Sequence, residues 1–86
     1  METIKVSSSS SPNNVAGAIA SMIRNESKLQ IQVIGAAALN QAIKAIAIAR
    51  GYIIPTGNEM VCIPSFHDLT VDGKEITALR LMLELR

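Results

Sequence analysis

The chain has 86 residues, with eight Lys plus Arg against seven Asp plus Glu and a net charge of +1. This length makes a single domain, residues 1–86, and the near-neutral charge supplies no long-range field to steer a polyanion, so nucleic-acid contact would have to rest on local placement. The lone Cys62 excludes an internal disulfide, and apolar runs broken by Asn40, Gln41, Lys44 and Arg50 fall short of the ~18 to 20 residues of a membrane span.

Apolar residues make up 49% of the chain but aromatics only 2%, so the core is expected to be built from Ile, Leu, Val, Ala and Met. Met1 to Val6 lacks the basic-then-apolar pattern of a signal peptide, and the expected location is cytoplasmic. Thr3 to Val6 alternates Ile4 and Val6 with Lys5, the pattern of a short strand. After the serine run Ser7 to Ser11, Ser11-Pro12 reads as a helix N-cap followed by proline at the first helical position. Val15, Ile19, Met22 and Ile23 then form one stripe of an amphipathic helix.

Leu29 to Ile34 alternates Leu29, Ile31 and Val33 against Gln30 and Gln32, predicting a second strand with one polar face. Gly35 turns the chain into a second helix, Ala36 to Arg50, for which Gly51 is the expected C-cap. This helix is apolar on most sides: Leu39, Ile43 and Ile46 form one face, Ala42, Ala45 and Ala49 a flat second face, and Asn40, Gln41, Lys44 and Ile48 a half-polar third. A sheet covers one face only, so Ala42, Ala45, Ile48 and Ala49 are expected to meet a second copy of the chain, as a homodimer or a tetramer.

Glu59 to Phe66 is β-rich in both registers, with Pro64 marking a bulge or a sheet edge. Asp72-Gly73 has the chemistry of a type I′ hairpin, and Thr77, Leu79, Leu81, Leu83 and Leu85 alternate with Ala78, Arg80, Met82, Glu84 and Arg86 in a half-buried final strand. The order βαβαββ predicts an α+β, two-layer fold with both helices on one face of a four-stranded mixed sheet.

Both predicted helices start directly after strands. If those strands are parallel, the two helix N-termini meet at one sheet edge and present unpaired N–H groups and positive dipole ends, an arrangement suited to phosphate. The candidate contacts are Lys5, Ser9, Ser11, Asn13, Asn14, Asn40, Gln41 and Lys44, with Arg80 or Arg86 extending the surface. The alternative is that Ser11 is only a cap and the other serines a solvated loop. Catalysis has little support, since Cys62 and His67 are separated by an odd number on an extended segment and point to opposite faces. Cys62, between Val61 and Ile63, reads as a core thiol. One Cys and one His make no metal site within a chain, and no glycine-rich nucleotide loop is present, so no enzyme, metal or cofactor is expected.

The segments Lys5-Val6-Ser7, Ser11-Pro12-Asn13, Val15-Ala16-Gly17-Ala18, Gly35-Ala36, Ala38-Leu39-Asn40-Gln41-Ala42 and Lys44-Ala45, read together, closely resemble the stage V sporulation protein S family of spore-forming and related bacteria. The resemblance continues through Ala47-Ile48-Ala49-Arg50-Gly51, Cys62-Ile63-Pro64, Asp72-Gly73, Glu75 and Thr77-Ala78, and covers essentially the whole chain. That family looks like a member of the Alba-like architecture, shared with the archaeal chromatin protein Alba and the C-terminal domain of bacterial translation initiation factor three. The resemblance implies a homodimeric, cytoplasmic sporulation regulator that binds DNA or RNA around the strand-one loop, the start of helix two and the hairpin. Those places are strongly basic in Alba proteins, whereas here they read Ser7 to Ser11, Gly35 to Ala38, and a slightly acidic Asp68 to Glu75, which implies modest affinity. The competing expectations are a protein-interaction or scaffolding module and a module holding an anionic metabolite at the helix starts.

Overall fold

The computed structural model describes residues 1–86. The chain runs β1 (Thr3–Val6), α1 (Pro12–Glu26), β2 (Lys28–Val33), α2 (Ala36–Ile53), a 3-10 turn (Ile54–Thr56), β3 (Met60–Val71) and β4 (Lys74–Leu85). The strands form one sheet in the order β1-β2-β4-β3, with β1 parallel to β2 and the other two neighbours antiparallel. This is the mixed βαβαββ sheet that the order of elements predicts.

Parity along the strands assigns the faces. Ile4 and Val6 of β1, Leu29, Ile31 and Val33 of β2 and Leu79, Leu81 and Leu83 of β4 stand in register on one face, toward both helices. Lys5, Gln30, Gln32, Arg80 and Met82 lie on the opposite, open face. Ile19 and Ile23 of α1 are fully buried against the inner face, as are Leu29, Ile31 and Leu83 of the sheet. Each such side chain contributes about 1.5–3 kcal/mol of burial, the main force holding the two layers together.

The alanine face of α2 lies inside this core. Ala42, Ala45 and Ala49 are 0% exposed in the single chain, together with buried Ala38 and Ile53, so they offer no surface to a partner and the interface expected there is corrected. Ile48 is also turned partly inward, packed against the same cluster. The physical reason lies in α1, whose own buried residues include Ala16 and Ala20. α1 and α2 lie side by side, and small buried residues on both permit the close approach of packed helices. The larger residues of α2 take the flanks, where Leu39 and Ile46 are half-buried and Ile43 is 49% exposed.

Two element boundaries and the burial of one residue also differ from the sequence expectation. α2 continues through Gly51 to Ile53, and the left-handed stop is Gly57 (φ 86°), after the 3-10 turn. An unbroken apolar face, ending in buried Ile53, makes the extra turn worth more than the loss from a glycine within a helix. β3 extends beyond Phe66 to Val71, because the Asp72-Gly73 turn, with both residues at positive φ, starts the ladder at Val71 opposite Lys74. Cys62, expected in the core, is exposed. Its side chain shares the helix-facing parity of Pro64 and Phe66, on an edge strand where neither helix buries it. Partial burial still pushes its thiol above the ordinary value.

β2 pairs with β4 only from Leu79 to Glu84, so the distal half of the β3–β4 hairpin projects past the rest of the sheet and the molecule measures 44 × 22 × 16 Å. At the other end, Arg50 Nε and Nη2 donate to Glu59 Oε1 and Oε2 at 2.8 and 2.9 Å, clamping the end of α2 to the start of β3. The guanidinium hydrogen bonds, helped by the Met60 N–H, hold the Glu59 carboxyl below its usual range.

Two outcomes check this packing. Ala45→Leu should lower unfolding stability by about 1–3 kcal/mol through overpacking, while Ile43→Ala on the outer flank should cost clearly less, both read by chemical denaturation. The reverse order would place the alanine face outside the core. Because Glu59 is depressed, its contribution is present above the ordinary carboxylate pKa of about 4.3 and is lost as pH falls through the folded-state value. The small melting-temperature difference between the wild type and Arg50→Gln should therefore shrink toward zero when the pH is lowered well below about 4.

Candidate nucleic-acid interface

Since β1 and β2 are parallel, the loops leaving their C-terminal ends lie together, and both helices begin there. The two N-termini are finished differently. At α1, Ser11 adopts an extended backbone and its Oγ accepts from the Asn14 N–H at 3.4 Å, with Pro12 needing no partner. At α2 the cap position is Gly35, at φ 90°, which has no side chain to offer. The first helical bond there is from the Leu39 N–H to the Gly35 carbonyl at 3.1 Å, which leaves the Ala36, Ala37 and Ala38 amides ahead of it without helical acceptors.

Those amides border an open cleft of about 520 Å³ whose walls are Lys5, Val6, Ser7 and Ser8 from the β1 end and Gln32, Ile34, Gly35 and the three alanines from the β2 end. Lys5 and Gln32 are direct neighbours across the β1–β2 pair. The only charged group lining the cleft is the Lys5 ammonium, and the dipole of an 18-residue helix adds partial positive charge at its mouth. The cleft is therefore electropositive although the chain as a whole is nearly neutral.

Of the eight residues expected to contact phosphate, Lys5 alone lines this cleft. Ser9 is folded back within the loop, its Oγ 3.1 Å from Ser7 Oγ and its N–H donating to the same oxygen at 3.3 Å. The Ser7 N–H donates to Ser10 Oγ at 2.9 Å and the Ser10 N–H to the Ser7 carbonyl at 3.1 Å, so the serine run is a hydroxyl-stapled turn. Ser11 serves as the α1 cap, with Asn13 and Asn14 exposed on the turn that follows. Gln41 Nε2 donates to the Ser10 carbonyl at 3.0 Å, which fixes the serine loop against α2. Asn40 and Lys44 are exposed one and two turns into α2, outside the cleft wall.

Sequence reading passed over Ser7, Ser8 and Gln32 as individual contacts. Parity offered a signal for Gln32, since it occupies the polar face of β2 at the end nearest the predicted helix start. The same register continues across the open face, where Gln32 stands opposite Arg80, which stands opposite Ser65. Two strand spacings of about 4.8 Å place Arg80 roughly 10 Å from Lys5 along one row. Arg80 Nη2 donates to His67 Nε2 at 2.8 Å, and its Nε is buried without a partner.

Cys62 and His67 differ in parity on β3 and lie on opposite faces of the sheet. No three His, Cys, Asp or Glu residues are grouped to hold a metal ion, and no helix is long and apolar enough to cross a membrane.

The chain is similar to a solved structure of Alba from Thermoplasma volcanium, with a TM-score of 0.64, 17% identity and 98% of each chain covered. At that identity the likeness defines the fold, which is Alba-like. The family follows from the sequence itself, since residues 2–86 match the profile described as Stage V sporulation protein S (SpoVS). A chain matched over nearly its whole length, on a sheet of the expected order with both helices on one face, belongs to the stage V sporulation protein S family.

Proposed function

We propose that this chain is a non-enzymatic regulatory protein of sporulation which self-associates as a homodimer and binds the phosphate backbone of nucleic acid with modest affinity. The observation that carries the reading is the uncapped N-terminus of α2, opening with Lys5 into a cleft lined by no carboxylate. Unpaired amides at a helix start, a lysine and the Ser8 hydroxyl form a donor set for a phosphate oxygen. None of these groups distinguishes one base from another, so the reading covers DNA and RNA and assigns no target sequence. The row through Gln32 to Arg80 offers a second cation to a neighbouring phosphate, and Asn40 and Lys44 lie where a longer strand would pass.

Modest affinity follows from the small number of cations. Counterion release lowers log affinity with log salt at a slope near −0.9 per phosphate neutralised on duplex DNA and about −0.7 on single strands. A protomer contributing one or two cations gives a shallow slope. The second reading, a protein-interaction or scaffolding module, is favoured by Phe66, which is 82% exposed on the projecting hairpin.

The test is a salt series of binding to duplex DNA, single-stranded DNA and RNA with wild type, Lys5→Glu, Lys44→Glu and Arg24→Glu. Lys5→Glu should weaken binding at least about tenfold at low salt, since it replaces the only cation of the cleft with an anion. Lys44→Glu should weaken it less. Arg24→Glu, at the far end of α1 with the same charge change, should have the smallest effect. Absence of binding to all three nucleic acids at low salt would leave the scaffolding reading.

A further inference from the structure

β3 is a 12-residue strand at the edge of the sheet, and its hydrogen-bonding groups divide by parity. Glu59 and Arg86 exchange both backbone bonds, N–H to O at 3.0 and 2.8 Å, which fixes the phase of the antiparallel ladder. Residues of β3 with odd numbers therefore turn their N–H and C=O toward β4. Met60, Cys62, Phe66, Asp68 and Thr70 turn theirs outward, to the open edge. Pro64 has the outward parity too, so its missing N–H costs the β3–β4 ladder nothing and removes one donor from the edge.

An edge of this length is a template for another strand. The groups that protect such edges are sparse here: Pro64 has no edge donor, the Met60 N–H at the start of the strand is held by Glu59 Oε1 at 3.0 Å, and Asp68 is the one charged side chain on an outward residue from Met60 to Thr70. Beside the edge stand exposed apolar side chains on both faces, Phe66 on the helix side and Ile63 and Val71 on the open side.

We propose that two copies of the chain pair their β3 edges antiparallel about a two-fold axis at Phe66, joining two four-stranded sheets into one continuous sheet. The proposal rests on the homodimer reading above and names the surface that makes it. A two-fold at Phe66 sets the two Phe66 rings opposite each other on the helix side and puts Cys62 opposite Thr70 of the other copy. On the open side Val61 meets Val71 and Ile63 meets Leu69, apolar against apolar. Axes at Phe66 and at Pro64 both lose the two Pro64 donors, but an axis at Pro64 puts them together at the centre of the ladder, whereas the Phe66 axis sets each Pro64 opposite Asp68, to one side of an intact central pair. An axis at Asp68 puts two carboxylates directly opposite, a destabilising pair. An axis at His67 crowds two imidazoles together, each beside its own Arg80. The Phe66 register pairs every apolar residue of the open side, Val61, Ile63, Leu69 and Val71, with another apolar one, whereas an axis at Ser65 sets Ile63 against His67 and Cys62 against Asp68; a shallow concavity of about 280 Å³ among Pro64, Ser65, Phe66 and Leu79 offers the opposing ring a seat.

The area decides the strength. Twelve residues at about 3.3 Å each extend about 40 Å. Paired across a sheet depth of about 10–15 Å with its side chains, such an edge buries on the order of 500 Å² on each partner. The total of about 1,000 Å² is where specific interfaces begin, which suits a reversible dimer.

The test is crosslinking with a register. In a Cys62→Ala background, Phe66→Cys should form a disulfide-linked dimer under mild oxidation, because directly opposed Cα atoms about 5.5 Å apart lie within disulfide reach. Ile63→Cys in the same background should not, since the two copies of position 63 are about 20 Å apart along the paired strands. Phe66→Glu, at a position whose side chain supports nothing in the monomer, should raise the dimer dissociation constant at least about tenfold in sedimentation without changing the melting of the monomer. A dimer that persists in sedimentation but does not crosslink through position 66, or that tolerates Phe66→Glu, would overturn the edge pairing and leave the homodimer reading standing. A wild type that stays monomeric at tens of micromolar would overturn both, whatever the nucleic-acid salt series shows.

Discussion

The close approach of α1 and α2 through alanine is the constraint on which the other features depend. Ala16 and Ala20 on one helix and Ala42, Ala45 and Ala49 on the other are all buried, and they let two helices share the inner face of a narrow four-stranded sheet. The aliphatic side chains of the sheet and of α1 supply the apolar bulk beneath them. Because α2 buries its smallest residues, its larger ones are pushed to the flanks and the outside. A chain that is 49% apolar with few aromatic rings thus fills a core without large rings and still leaves Ile43, Tyr52 and Ile54 at the surface.

The same packing positions the cleft. β1 and β2 are parallel, so the two helix starts share one end of the sheet, and the serine turn is pinned to α2 by the Gln41 bond to Ser10. One helix start is closed by its own serine and the other is left open by a glycine. That asymmetry, more than the number of cations, separates the two ends electrostatically. It creates local positive potential in a molecule whose total charge is close to zero, and this is the property that a weak, sequence-indifferent phosphate contact needs.

The hairpin obeys a different logic. Its distal half has no third strand beside it and β3 is a sheet edge along its whole length, so its apolar residues are only partly covered. Exposed Phe66, Ile63 and Val71 are costly in a free monomer and sit along the one long open edge of the sheet. The cleft and the edge present opposite parts of physical chemistry, polar donors in one and apolar side chains beside outward backbone groups in the other. A change at either need not disturb the other.

Much of the fold was legible from local pattern, because alternation in β2 and β4, the Ser11-Pro12 helix start and the Asp72-Gly73 turn are short-range signals with direct steric or hydrogen-bonding causes. The family resemblance was legible for the same chain-wide reason. Which face of α2 goes inward was not, since alanine is equally suited to a close intramolecular or intermolecular contact, and only the presence of Ala16 and Ala20 on the adjacent helix decides between them. The exposure of Cys62 was hidden likewise: an apolar neighbourhood in sequence says nothing about whether a strand is central or at the edge. In the site, Lys5 and the open start of α2 follow from the order of elements. The inward turn of Ser9 and the place of Gln32 in the cleft wall depend on loop closure and strand register, which bring together residues far apart in the chain and leave no local trace in it.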